Sequence, residues 1–180
     1  MRAHLAVAAL LLLAAPVVQA QGGPEQAVSD LGITIDPSKP LNIRAEEFEA
    51  TRLEGGGDII TFRGSVVAVQ EDLRLTCDWL EARYPKGGGN PDRITARGNV
   101  HAIQPGSELT CTQLVYDRAG CTVTCTSDAG PAVVVRGNDI MRGREIETNL
   151  CDGKLRVRGG AAIELKPSRA EDESGAEASE

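Results

Sequence analysis

Aromatic side chains are scarce in this 180-residue chain, at 3% of residues. Stacking platforms for bases or sugars are therefore not a plausible design. Histidine occurs twice, at His4 and His101, and no CxxC pair accompanies it, so zinc-type ligation has no ligand set. The formal net charge of −7 excludes the basic surface that a nucleic-acid partner needs. HExxH, GxSxG and Gly-rich phosphate-loop patterns are all missing, and the carboxylates are scattered rather than clustered. The reading is a non-enzyme with no cofactor and no metal.

Only one long apolar run is present, Leu5 to Ala15, behind the positive Arg2 and before Pro16 and Val18-Gln19-Ala20. It is shorter than the roughly 20 apolar residues that cross a bilayer. The pattern predicts a signal peptide over residues 1–20, cleaved after Ala20, and an exported soluble domain. No Cys follows that point to carry a lipid. Residues 21–39 read as a flexible Gly- and Pro-rich segment and 166–180 as a disordered acidic tail, leaving a β domain over 40–165.

What the chain does have is an internal repeat. Apolar or small residues recur at offsets 0, 2, 5 and 7 in Ile43/Ala45/Phe48/Ala50, Leu75/Cys77/Leu80/Ala82, Leu109/Cys111/Leu114/Tyr116 and Met141/Gly143/Ile146/Thr148, with unit starts 32, 34 and 32 residues apart. Each unit continues into a second alternating segment ending on Arg-Gly, at Arg63-Gly64, Arg97-Gly98, Arg136-Gly137 and Arg158-Gly159. A fixed period of this size implies stacked supersecondary units. Period-two alternation, 20 glycines and clusters such as Pro85-Lys-Gly-Gly-Gly-Asn-Pro91 make the units strands rather than helix pairs. The phase change between offsets 2 and 5 implies a bulge or bend at the same place in every unit. The expected fold is all-β, a folded-over antiparallel sheet of about four repeats.

The segments Ile94–Val100 (ITARGNV), Glu108–Asp117 (ELTCTQLVYD), Phe62–Tyr84 and Ile140–Thr148 resemble the signature of the OstA/LptA family of lipopolysaccharide-transport proteins. The resemblance runs from Leu41 to Leu165. It implies a β-taco or twisted β-jellyroll in the periplasm, and an interior groove for the acyl chains of lipid A. It also implies partners among the transport components of the inner and outer membranes. Two departures are noted: the family's small residue is Cys at Cys77 and Cys111, and the third unit carries an insertion around Thr126 to Ala132.

The inward ladder is predicted to comprise Ile43, Phe48, Ile60, Phe62, Val66, Leu75, Leu80, Ile94, Val100, Leu109, Leu114, Val133, Val135, Ile146 and Leu155. From the residues alone it fits a self-filled core, as in an adhesin-type β-solenoid, better than an open slot. With the resemblance, the lipid groove is preferred. Arg63, Arg97, Arg136 and Arg158 share an outward phase. They form either a stripe for lipid phosphates or, with Glu46, Glu47, Asp78 and Glu81 near, an ordinary salt-bridged face. The second is favoured, because neighbouring like charges repel unless paired. Trp79 is expected on the same outward side.

Five cysteines behind an export signal imply disulfides. Cys111 and Cys125 flank the turn at Asp117–Gly120 and are expected to bond across it, leaving Cys77 reduced and buried. The end strands near Ile43 and from Leu155 to Leu165 are expected to be open edges. Such edges would permit head-to-tail association of copies.

Overall fold

The computed structural model describes residues 39–165. The expected signal peptide, nearly all of the segment 21–39 and the acidic tail lie outside the described residues. Twelve strands form one antiparallel sheet: β1 (Asn42–Arg44), β2 (Glu47–Arg52), β3 (Asp58–Gln70), β4 (Leu73–Tyr84), β5 (Arg93–Gln104), β6 (Ser107–Asp117), β7 (Thr122–Thr126), β8 (Ala132–Arg136), β9 (Asp139–Gly143), β10 (Glu145–Asn149), β11 (Leu155–Arg158) and β12 (Ala162–Glu164).

The long strands β3 to β6 each contribute to two half-sheets. In the first half, β2, β7, β10 and β11 join residues 58–63, 79–84, 93–97 and 113–117 of the long strands. In the second, β1, β8, β9 and β12 join residues 66–70, 73–77, 100–104 and 107–111. The alternating residues of each half face the other, and their apolar side chains make one shared core.

Between the halves runs a crease where the register breaks, at Arg63/Val66, Thr76/Trp79 and Arg97/Val100. The inward positions of β4 change phase between Cys77 and Leu80, at the expected place. Facing that point, Gly64-Ser65 of β3 and Gly98-Asn99 of β5 carry the extra residue, with φ of 77° and 46° in the first pair and 72° and 46° in the second. A Cβ on Gly64 would collide with the Glu46 carboxylate, and one on Gly98 with that of Asp78. Both carboxylates also accept a hydrogen bond from the bulge, from Ser65 Oγ at 2.8 Å and from Asn99 Nδ2 at 2.9 Å. The sequence therefore specifies a bulge that only glycine fits and an acid that ties it down.

This corrects the expectation that Arg-Gly ends each second segment. In β3 and β5 it is the hinge of a continuous strand. At Arg136-Gly137 it is something else, the hairpin turn between β8 and β9. The true counterpart of the hinge in the third unit is the loop 127–131, which separates β7 from β8. Thr112 bridges there, accepting from Asp128 N at 3.3 Å and donating to the Thr126 carbonyl at 3.1 Å.

That shift moves the third unit by one position. Val134 and Ala132 point inward and are fully buried, paired with Leu109 and Met141 (Val134) and with Gly143 (Ala132). Val133 and Val135 lie opposite Thr110 and Glu108 on the outer face and are only half-buried. Their assignment to the inward ladder is thus corrected.

Candidate functional site

Cross-strand pairing builds the interior as rows of side chains, because directly paired residues share a face. One row reads Phe48, Phe62, Leu80, Ala96, Leu114, Cys125, Ile146 and Val157. A second, in the other half-sheet, reads Ile43, Ala68, Leu75, Ala102, Leu109, Val134, Met141 and Ile163. In the middle of the molecule bulky and small residues alternate, from Leu80 through Ala96 and Leu114 to Cys125 in the first row and from Ala68 through Leu75 and Ala102 to Leu109 in the second. The two faces therefore pack together there.

The filling is uneven. Val66, Leu75, Leu80, Ile94, Val100, Leu109, Leu114 and Ile146 are buried, as the ladder requires, whereas Ile43, Ile60, Phe62 and Leu155 are half-buried. Phe48 is 64% exposed and meets Phe62 in a tilted ring contact with centroids 5.4 Å apart. At this end the halves part and leave a cavity of about 430 Å³. Its walls include Leu41 and Ile43 on one side and Ile60, Phe62, Ile94 and Tyr116 on the other, with Tyr84 and Asn90 at the rim. Five residues of the predicted ladder line it: Ile43, Ile60, Phe62, Leu80 and Ile94. Tyr84, Tyr116 and Leu41 were not in the predicted ladder. Tyr116 already stood at the last position of the third repeat unit and Tyr84 extends the second unit by one step, so both could have been found that way, whereas Leu41 lies outside the repeat.

The outer face shows no comparable concentration of one charge. Arg63, Trp79, Arg97, Gln113, Thr126, Glu145 and Arg158 pair across successive strands in a single row. Arg63 bonds Glu49 at 3.0 Å. Arg97 donates to Gln113 and lies 4.8 Å from the centroid of the Trp79 ring. Arg158 bonds Glu145 and approaches Glu147 at 3.7 Å, and the Glu145 bond holds its guanidinium even more firmly charged than usual. Arg136, at the β8–β9 turn, stands apart from this row, which corrects its placement in a four-membered stripe. The face is salt-bridged, and each exposed pair contributes at most about 1 kcal/mol.

Two disulfides lie in the second half of the chain. Cys111–Cys125, with Cα atoms 6.1 Å apart, crosses from one half-sheet to the other beside the interrupted hinge. Cys125 pairs with Leu114 rather than with Cys111, so the bond is diagonal and not the directly opposed pair expected of a three-residue turn. Cys121–Cys151 joins two turns 30 residues apart. Cys77 is a free thiol, buried in the core, and burial pushes its pKa up to about 11. Among the described residues no group of three or more His, Cys, Asp or Glu gathers as metal ligands would.

Against known proteins, residues 42–154 match a family model described as LptA/(LptD N-terminal domain) LPS transport protein. No curated protein matches the chain. Among solved structures it is similar to LptH of Pseudomonas aeruginosa, described as the LptA homologous periplasmic component of the conserved lipopolysaccharide transport device. That likeness has a TM-score of 0.59 at 17% identity, over 73% of this chain and 99% of that one. At such identity the likeness speaks for the fold alone.

Proposed function

This chain belongs to the LptA/(LptD N-terminal domain) family of LPS transport proteins, and from that premise we propose that it is a periplasmic lipid carrier. It holds the acyl chains of lipid A between its two half-sheets while lipopolysaccharide passes from the inner toward the outer membrane. The observation that carries the reading is the apolar cavity at the β1–β3 end, continuous with the rows of inward side chains behind it. A chain entering there leaves water at a gain of about 0.8 kcal/mol per buried CH₂. No bond is made or broken, so the role needs no catalytic residue.

Export through a signal peptide cleaved after Ala20 fits two disulfides, which persist in oxidising compartments. The open edges of β1 and β2 at one end and of β11 and β12 at the other suit head-to-tail stacking of copies, and docking onto related components at either membrane. Stacking would join the cavities of successive copies into one path. The self-filled solenoid is disfavoured by the antiparallel meander, in which no strand closes a coil.

Native mass spectrometry of the protein taken from its own periplasm tests the reading. Lipopolysaccharide adducts are expected on the wild type and lost with Phe62→Asp. Lipid-free protein throughout, monomeric at high concentration, would overturn the proposal.

A further inference from the structure

The cavity at the open end has a floor as well as a mouth. Ile60, Ala82, Ile94 and Tyr116 pair in a row across β3 to β6, and all four line it. Three steps between strands make that slot about 14 Å long. Beyond Tyr116 the row meets Val123, and beside Leu80 the neighbouring row meets Ala96. Both are buried, Ala96 completely. In the facing half-sheet Ile43 lines the cavity, while its cross-strand partner Ala68 is buried. The space therefore ends inside the molecule, and Cys111–Cys125 ties the filled part beyond it.

Volume then limits what can enter. An apolar cavity of roughly 150 Å³ holds one benzene, about 25 Å³ per carbon, so the 430 Å³ here has room for about 17 carbons. That is one long acyl chain. The polar members of the wall include Lys39, Gln70, Tyr84 and Asn90. Lys39 is the charged one, and its ammonium is ion-paired with Glu71 at 2.5 Å while its carbonyl accepts from Gln70 Nε2 at 3.1 Å. With that charge matched, the wall offers a head group hydrogen bonds rather than a counter-ion. Resting on the lipid-carrier reading, we propose that each copy accepts a single acyl chain of at most about 17 carbons, selected by its length rather than by its head group. The ligand class is thus the single-chain amphiphile. A lipid with several chains can place only one of them in a given copy, and the others must lie in neighbouring copies or at the surface.

The test titrates protein purified from the periplasm and stripped of lipid with lysophosphatidylcholines from decanoyl to eicosanoyl, each below its micellar concentration. Affinity is expected to rise about fourfold per added CH₂ and to level off between palmitoyl and stearoyl. Native mass spectrometry should show one lipid per copy at saturation. Lysophosphatidylglycerol of the same chain should bind within about a factor of three, less than one CH₂ is worth. Ala82→Phe puts a benzene ring into the slot and should shorten the limit by about six carbons, to between decanoyl and lauroyl. The wild-type length series decides the question whether or not that variant folds. Affinity that climbs through eicosanoyl, two or more lipids per copy, a larger effect of the head group, or a limit unmoved in folded Ala82→Phe would each overturn the proposal. Those results leave the carrier reading standing, whereas a protein that binds no lipid of any class overturns both.

Discussion

The two ends of the sheet follow the same alternating pattern and end in opposite states. Around β6 to β10 the interior is closed: Leu109, Val134, Cys125 and Ile146 have no measurable exposure, and two disulfides tie the strands together. Around β1 to β3 there is no disulfide, β2 is exposed along its length, and a cavity stands open between the halves. The pattern of apolar residues specifies the faces, while side-chain size and covalent ties decide whether the space between them closes. Cys111–Cys125 sits where the hinge strand is interrupted by the loop 127–131, so a covalent bond takes over a constraint that Gly64 and Gly98 impose elsewhere.

The largest effect that would test this contrast is core truncation. Leu109→Ala at the closed end is expected to cost about 2–5 kcal/mol in urea unfolding, whereas Phe48→Ala at the open end should stay within about 0.5 kcal/mol, as exposed positions do. Equal losses at both sites would abolish the distinction. Replacing Cys111 and Cys125 together by Ala should lower stability by about 3 kcal/mol, the entropy of a loop of this length. The readout is the unfolding free energy from urea titration, with a slope at least as steep as wild type because the unlinked unfolded chain exposes more surface.

Gly98→Ala comes next. Forcing a side chain into the left-handed region costs about 1–2 kcal/mol, and the collision with Asp78 adds to it. The same substitution at Gly106, in a turn where a Cβ meets nothing within 4 Å, should cost only the backbone part.

The effect at Cys77 vanishes near neutral pH and appears only in the alkaline range. Its folded pKa of about 11 lies above the ordinary thiol value of 9.0 because burial disfavours the thiolate, so the folded state favours the neutral thiol. The stability this confers is fully present below pH 9 and is lost as the pH rises toward 11. Cys77→Ala should remove that part of the alkaline decline, followed by unfolding midpoints between pH 8 and 11. Iodoacetamide should leave the native thiol unmodified near neutral pH.

These contrasts also explain what was legible in the chain. Strand alternation and the phase change at Cys77/Leu80 are local and could be read directly. The Cys111–Cys125 pair was readable because only one turn separates its halves. Cys121–Cys151 was not, since it depends on β7 and β10 becoming neighbours, which sets the Leu150 amide on the Cys121 carbonyl at 2.7 Å. Val133 and Val135 were misread because Arg136-Gly137 imitates the hinge dipeptide of β3 and β5. The interruption itself was visible, as the insertion around Thr126 to Ala132, but its effect on the inward phase of β8 was not. The cavity was invisible for a different reason: the ladder names the inward residues but not how far apart their two sheets stand.

The central claim is that the open end, and not the closed one, receives an acyl chain. Photo-cross-linking in living cells tests it most directly, with the reactive residue in place of Phe62 in the cavity and, separately, in place of Val134 in the filled core. The account predicts lipopolysaccharide linked to position 62 and none to position 134 in a single copy. No link at position 62, or links of equal yield at both positions, would contradict it.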